Sequence, residues 1–226
     1  MKFSTCSIKN HLLDTSICPV NGVTYEVAEF IYLDTLISND NSVGKKIQRR
    51  NLASNRTYFA AICLFRSQRL SRASKLMLYK ALIRPVVSYG AEAWTLTKKK
   101  EQALVIFERK IFRKICGPKY ENGEWKSQTN RELKETSKGE NMVKWIKVQK
   151  ISWLGHLQRM DEDRMPRKIF TQELEGTRRR GRPRKRWKEE VERDLQVVGV
   201  RRWRELVADR KKWKDIVRQA KAHNAL

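Results

Sequence analysis

Thr97-Lys-Lys-Lys-Glu-Gln-Ala-Leu-Val-Ile-Phe-Glu-Arg-Lys-Ile-Phe-Arg-Lys-Ile-Cys-Gly-Pro118 is the stretch whose reading decides the fold class. Wound at helical pitch, it gathers Leu104, Ile106, Phe107, Ile111, Phe112 and Ile115 into one apolar stripe, and nothing in it alternates as a strand would. Thr97 offers an oxygen to the unpaired N–H groups of the first turn, and Gly117-Pro118 stops the helix.

Toward the N-terminus, Ser71 caps a second helix with Leu76, Tyr79, Leu82 and Ile83 on one face. Pro85 is expected to end or kink it, with a short apolar helix over residues 86–94 beyond. Ser42 caps an earlier helix reaching about Phe65, with Ile47, Leu52, Tyr58, Ala61, Ile62 and Phe65 available for burial. Before Ser42 the pattern is that of strands. Residues 16–20 and 23–33 flank Asn21-Gly22, the dipeptide of a type I′ hairpin turn, and Leu36-Ile37-Ser38 continues the second arm. Two or three strands alone are marginal, so this hairpin reads as the edge of a larger sheet.

Toward the C-terminus, residues 119–128 read as a loop and Thr129 begins a short helix. Residues 139–160 hold a longer helix bearing Met142, Val143, Ile146, Ile151, Trp153, Leu154 and Leu157. Residues 161–168 and 176–185 read as linkers, followed by helices over 187–198 and from 203 to about 220, the last broken near Asp209. The fold class is mainly α, with a short N-terminal β-hairpin. The breaks divide the chain into a hairpin at 1–41, a helical unit at 42–118, a loop at 119–138, a helical segment at 139–175, a basic linker at 176–186 and C-terminal helices at 187–226.

Charge narrows the function. The 226 residues carry 50 Lys and Arg against 25 Asp and Glu, a formal net charge of +25. Residues 1–40 contain Lys2 and Lys9 against Asp14, Glu26, Glu29, Asp34 and Asp40, a net −3, so the remainder carries +28. Such a surface repels itself and is relieved by a polyanion. The densest run, Arg178-Arg-Arg-Gly-Arg-Pro-Arg-Lys-Arg-Trp-Lys188, holds eight basic side chains in eleven positions and no acid. It cannot be buried, so it is expected to meet nucleic acid. No apolar run approaches the roughly 18 residues of a membrane span, and the N-terminus lacks the apolar stretch of a signal peptide. The four cysteines make no Cys-x-x-Cys, which leads us to expect a reduced, intracellular protein, and the basic run doubles as a nuclear import signal.

Enzymatic constellations are hard to assemble. Asp14, Asp34, Asp40 and Asp161-Glu162-Asp163 are the candidates for two-metal phosphoryl chemistry, but no Asp-Asp pair occurs and the acidic triplet lies beside Arg159 and Arg164 as a solvated turn would. Cys6, His11 and Cys18 approach zinc spacing only by chance. His156 reads as a packing residue. Neither catalytic residues nor a resident metal or cofactor is expected.

For nucleic-acid binding the candidates are Arg178, Arg179, Arg180, Gly181, Arg182, Pro183, Arg184, Lys185 and Arg186, with Lys45, Lys46, Arg49 and Arg50 on the first helix. Arg180-Gly-Arg-Pro183 has the make-up of an AT-hook core, two arginines on an extended path suited to a narrow A·T minor groove. A flexible basic linker explains the same four residues equally well. The seven tryptophans mostly occupy apolar faces and are expected in the core, with Trp187, embedded in charge, set apart for base stacking.

Five blocks occur in order: Phe30-x-Tyr-Leu with Leu36-Ile-Ser-Asn-Asp40 and Ile47-Gln-Arg-Arg50; Leu78-Tyr-Lys-x-Leu-Ile-Arg-Pro-Val-Val-x-Tyr-Gly-x-Glu-x-Trp-Thr95; Glu108-Arg-Lys-Ile111; Trp153-Leu-Gly-His-x-x-Arg-Met160; and Arg180-Gly-Arg-Pro-x-x-Arg-Trp187. Together, over about residues 17–220, they resemble the C-terminal part of the endonuclease–reverse transcriptase of non-LTR (LINE-type) retrotransposons. The resemblance implies that residues 1–41 are a remnant of the polymerase palm, that 42–118 are thumb-like and grip a template–primer duplex, and that the basic remainder holds RNA or DNA. Where the family has Tyr-Leu-Gly this chain has Tyr32-Leu33-Asp34, a carboxylate at the primer-grip turn. The aspartate-bearing palm strands that hold Mg²⁺ in the parent enzyme have no counterpart. The expectation is therefore a truncated RNA-directed DNA polymerase that binds DNA or RNA without catalysis; a co-opted nuclear AT-hook protein and a non-functional pseudogene product are the alternatives.

Overall fold

Apolar spacing becomes helix wherever a stripe can be buried. The computed structural model describes residues 16–20, 23–27, 29–38, 40, 42–121, 123–137, 139, 141–171 and 186–223. The Asn21-Gly22 turn and the basic residues Arg178 to Lys185 lie outside the described residues. The fold is mainly helical, with a short antiparallel hairpin region at the N-terminus.

That region is two hairpins. Strands β1 (Ser16–Val20) and β2 (Val23–Val27) pair with Val20 opposite Val23, and β3 (Glu29–Tyr32) pairs with β4 (Thr35–Ser38), Tyr32 opposite Thr35. The arm expected to run unbroken to Leu33 is thus split between them. The second turn is Leu33-Asp34, with φ of 45° and 60°. Two successive left-handed residues make the twist of a type I′ turn, here without glycine, so the usual sequence signal is missing.

Helices α1 (Val43–Ala60) and α2 (Ile62–Arg66) meet at Ala61. Ile47, Tyr58 and Phe65 are buried, but Leu52, expected inside, is 62% exposed. Next, α3 (Arg72–Leu78), a π-helical turn (Tyr79–Ile83) and α4 (Arg84–Ser88) form one rod. Pro85 was expected to break or kink this segment. The widened turn immediately before it accommodates the ring and the missing N–H, so the helix continues to Ser88. Tyr79, Ile83 and Val87 face the core at four-residue steps, while Leu82 points outward. Gly90, at φ 69°, turns the chain into a 3₁₀ turn (Ala91–Ala93) rather than the expected helix up to Trp94.

Helix α5 (Lys98–Cys116) buries Leu104, Phe107, Ile111, Phe112 and Ile115; Ile106 is exposed and Glu108 takes a core position instead. The expected loop after it contains a hairpin, β5 (Lys119–Glu121) with β6 (Glu124–Lys126). Helix α6 (Asn130–Thr136) opens on a complete capping box between Thr129 and Glu132. Helices α7 (Met142–Gln158), α8 (Met165–Thr171, in the expected linker), α9 (Trp187–Val197), α10 (Trp203–Leu206) and α11 (Arg210–Ala222) complete the order. Asp209 caps α11 through the N–H groups of Lys211 and Lys212, which makes the break expected there.

Two cores result. One gathers α1 to α6 around Tyr79, Ile83, Leu104 and Ile111; the other gathers α9 to α11 around Val191, Leu195, Trp203 and Trp213. Helix α7 belongs to both, giving Met142, Val143 and Ile146 to the first and Val148, Ile151 and Leu154 to the second. A helix apolar on nearly every side is what such a shared position requires. Among the described residues, no helix is long and apolar enough to cross a membrane.

Candidate nucleic-acid interface

The cations expected on α1 lie against the β3–β4 hairpin. Lys45 pairs with Glu29 and reaches Asp40 at 3.8 Å. Arg50 is 5% exposed. It donates to Asp34 Oδ2 at 2.6 Å and to the Asp34 carbonyl at 2.7 Å, and lies 4.5 Å over the Tyr89 ring. Arg49 adds a 3.5 Å contact to the same carboxylate. These bonds, from Arg50 first, hold the Asp34 carboxyl below its ordinary range. Lys46 is partly buried, which lowers its ammonium pKa. Arg50 thus bolts the β3–β4 turn to α1, and Lys45 and Arg49 would have to leave carboxylates to reach a ligand. Of the candidates Arg178 to Arg186, Arg186 alone is described: it is exposed, in extended backbone immediately before α9.

The tryptophans divide. Trp94, Trp203 and Trp213 are buried as expected. Trp125 is 71% exposed, beside Tyr120 at 5.2 Å on the β5–β6 hairpin. Trp187, set apart for stacking, is instead a core-edge residue: its Nε1 donates to the Glu92 carbonyl at 2.6 Å and its ring meets Phe170 edge-on at 6.0 Å. Trp153, expected in the core, is half-buried and, among the described residues, packs against neither cluster.

The remaining sequence blocks serve to hold the fold together. Buried Glu108 accepts from Tyr79 Oη at 2.8 Å and from the Met142 N–H at 2.9 Å, tying α5 to the rod and to the start of α7. Glu190 pairs with fully buried Lys150 at 2.8 Å and accepts from the Leu96 N–H at 3.0 Å. Lys147 stands between Glu101 at 3.5 Å and Asp194 at 3.7 Å. Gly155 lets α11 approach α7, since a Cβ there would fall inside the Trp213 indole, whose Nε1 donates to the Ile151 carbonyl at 3.2 Å.

Packing leaves two grooves. The first, about 750 Å³, runs between the β3–β4 turn and the rod; Tyr32, Leu33, Lys80, Arg84, Tyr89 and Trp145 line it, with the Arg84 guanidinium 3.9 Å over the Trp145 ring. The second, about 700 Å³, runs between α7 and α11. Trp153, His156, Arg159, Arg210 and Lys214 form its walls, and Trp213 and Val217 also line it. Both grooves include Glu92 and Gln149, so they meet there. Cations and rings lining two adjoining grooves can neutralise phosphates and stack on bases. None of these cations was singled out in the sequence. The signal available was local: Ser152, His156 and Arg159 share a face of α7 at steps of four and three, and Arg210 and Lys214 share one of α11.

No family model and no solved structure matches the chain. An uncharacterized transposon-derived protein of Caenorhabditis elegans is 25% identical over 204 residues, covering 86% of this chain and 71% of that protein. The likeness is to a transposon-derived sequence.

Proposed function

We propose that this chain is a nucleic-acid-binding protein derived from the thumb-like and C-terminal region of a LINE-type retrotransposon reverse transcriptase, which grips polynucleotide through phosphate contacts and joins no nucleotides itself. The observation that carries the reading is the +28 surplus beyond residue 40, part of which, Lys80, Arg84, Arg159, Arg210 and Lys214, lines two adjoining grooves. The transposon-derived relative supports the origin. Folding holds such a surface together against its own repulsion, and a phosphate backbone relieves that cost. In this reading Lys80 and Arg84 of the first groove meet duplex phosphates, the basic run at Arg178 to Arg186 adds charge, and nuclear import follows from the same run. The chain contains no adjacent Asp-Asp pair with which polymerases of this kind hold Mg²⁺, so no metal-dependent step is assigned to it.

The test is a primed template offered with Mg²⁺ and deoxynucleotides. The expected result is a retarded complex in dilute buffer and no extended primer. Extension would overturn the catalytic half of the proposal; failure to retard the substrate would overturn the binding half. Arg180-Gly-Arg-Pro183 favours a second reading, an A·T-specific nuclear protein. That reading requires A·T duplexes to outcompete G·C duplexes and Arg182→Ala to erase the difference.

A further inference from the structure

We infer that the groove between α7 and α11 is a subsite for single-stranded nucleic acid, in which an unpaired base stacks on Trp153 while its phosphates meet Arg159, Arg210 and Lys214; this rests on the nucleic-acid-binding reading above. Trp153 is what distinguishes the groove. Trp145 and Trp187 are also half-buried, but each packs against a core, whereas among the described residues Trp153 packs against neither and lines the groove. His156, one turn on and exposed, stands 5.2 Å away with its ring inclined at 42°, so the two rings make a broad platform.

The cations are placed on both walls. Arg159 follows His156 on α7 and is braced by an Nη1 bond to the Val207 carbonyl at 2.9 Å. Arg210 and Lys214, one turn apart on α11, are exposed across the groove. Gly155 is what brings the walls together, because any side chain there would push the Trp213 indole and α11 away. Gln149 and Ser152 add neutral polar groups for base edges. Glu92, the single carboxylate of the lining, sits where this groove meets the first and disfavours phosphate at that end. A ring platform between cations is of little use to an intact duplex, whose base faces are covered by their neighbours in the stack, and fits a strand whose bases are free. The geometry accommodates a substrate that changes from paired to unpaired at Glu92 and Gln149.

The experiment measures the affinity of the full chain by fluorescence anisotropy for a short oligothymidylate, the matching oligouridylate and a blunt mixed-sequence duplex. Trp153→Ala is expected to lower the ratio of single-strand to duplex affinity by about fivefold to a hundredfold, the worth of one stacked base, and Trp153→Phe to restore most of it. R210A combined with K214A, both on exposed positions, is expected to reduce the single-strand salt slope by about 1.4. This pair also decides the matter should Trp153→Ala fail to fold. An unchanged ratio in a folded Trp153→Ala protein, or an unchanged slope in the double variant, overturns the subsite. Duplex binding without single-strand binding overturns the subsite alone; binding to no probe removes the nucleic-acid reading with it. Equal losses for both oligonucleotides support a site that reads base faces, and a loss confined to one supports the subsite and names its ligand.

Discussion

At the scale of single residues, five buried ionisable side chains decide how the elements meet. Lys150, Glu190, Glu108, Arg50 and Asp194 are all buried. A buried pair returns little net stability against its desolvation, but losing one member is costly. Lys150→Met is therefore expected to lower unfolding free energy by about 3–5 kcal/mol, read as a shift of the urea midpoint at unchanged slope. A change within about 0.5 kcal/mol would show that Lys150 is not committed to Glu190. None of this was legible in the sequence. A Lys or Glu in a strongly charged chain reads as solvated, and only the approach of α9 to the 3₁₀ turn and α7 reveals that Glu190 must accept from Leu96. Trp187 was misread for the same reason: its neighbours in sequence are charged, but its neighbours in space are Glu92 and Phe170.

At the scale of elements, caps and close approaches were more readable. The Thr129-x-x-Glu132 box was legible as a helix start because both partners lie within four residues. Its carboxyl carries a pH dependence. The Lys119 ammonium, then the Thr129 N–H and hydroxyl, hold Glu132 down to about 2 from an ordinary 4.5. A carboxyl whose folded pKa is depressed contributes stability that is complete above 4.5 and is lost as pH falls toward 2. Amide protection across α6 is expected to fall over that window in the native chain and to be flat in Glu132→Gln; protection that is pH-independent in both would contradict it. Gly155→Ala tests the α7–α11 approach. Overpacking against Trp213 is expected to cost about 1–3 kcal/mol, seen as a lowered Tm, and an unchanged Tm would mean that the helices are further apart. The π turn before Pro85 and the glycine-free Leu33-Asp34 turn were not legible. In each, long-range contacts hold a backbone that local preference does not favour, Arg50 gripping Asp34 in one and burial of Tyr79 and Ile83 in the other.

At the scale of the whole molecule, fold class could be read and the grooves could not. Helical stripes announce which faces are apolar, but the grooves join residues from Tyr32 to Lys214, which periodicity cannot bring together. Helix α7 does so by closing one core with its first half and the other with its second. Charge, by contrast, was fully legible, because it is a sum over the chain and needs no geometry. The measurement that tests the central claim most directly is therefore the salt dependence of affinity for A·T-only and G·C-only duplexes of equal length. On a duplex, which leaves the α7–α11 subsite to unpaired strands, the two phosphates met by Lys80 and Arg84 alone give a log–log slope of about −1.8, and any contribution from the basic run steepens it. The account predicts a slope at least that steep and the same for both duplexes; a flat salt dependence, with affinity indifferent to ionic strength, would contradict it.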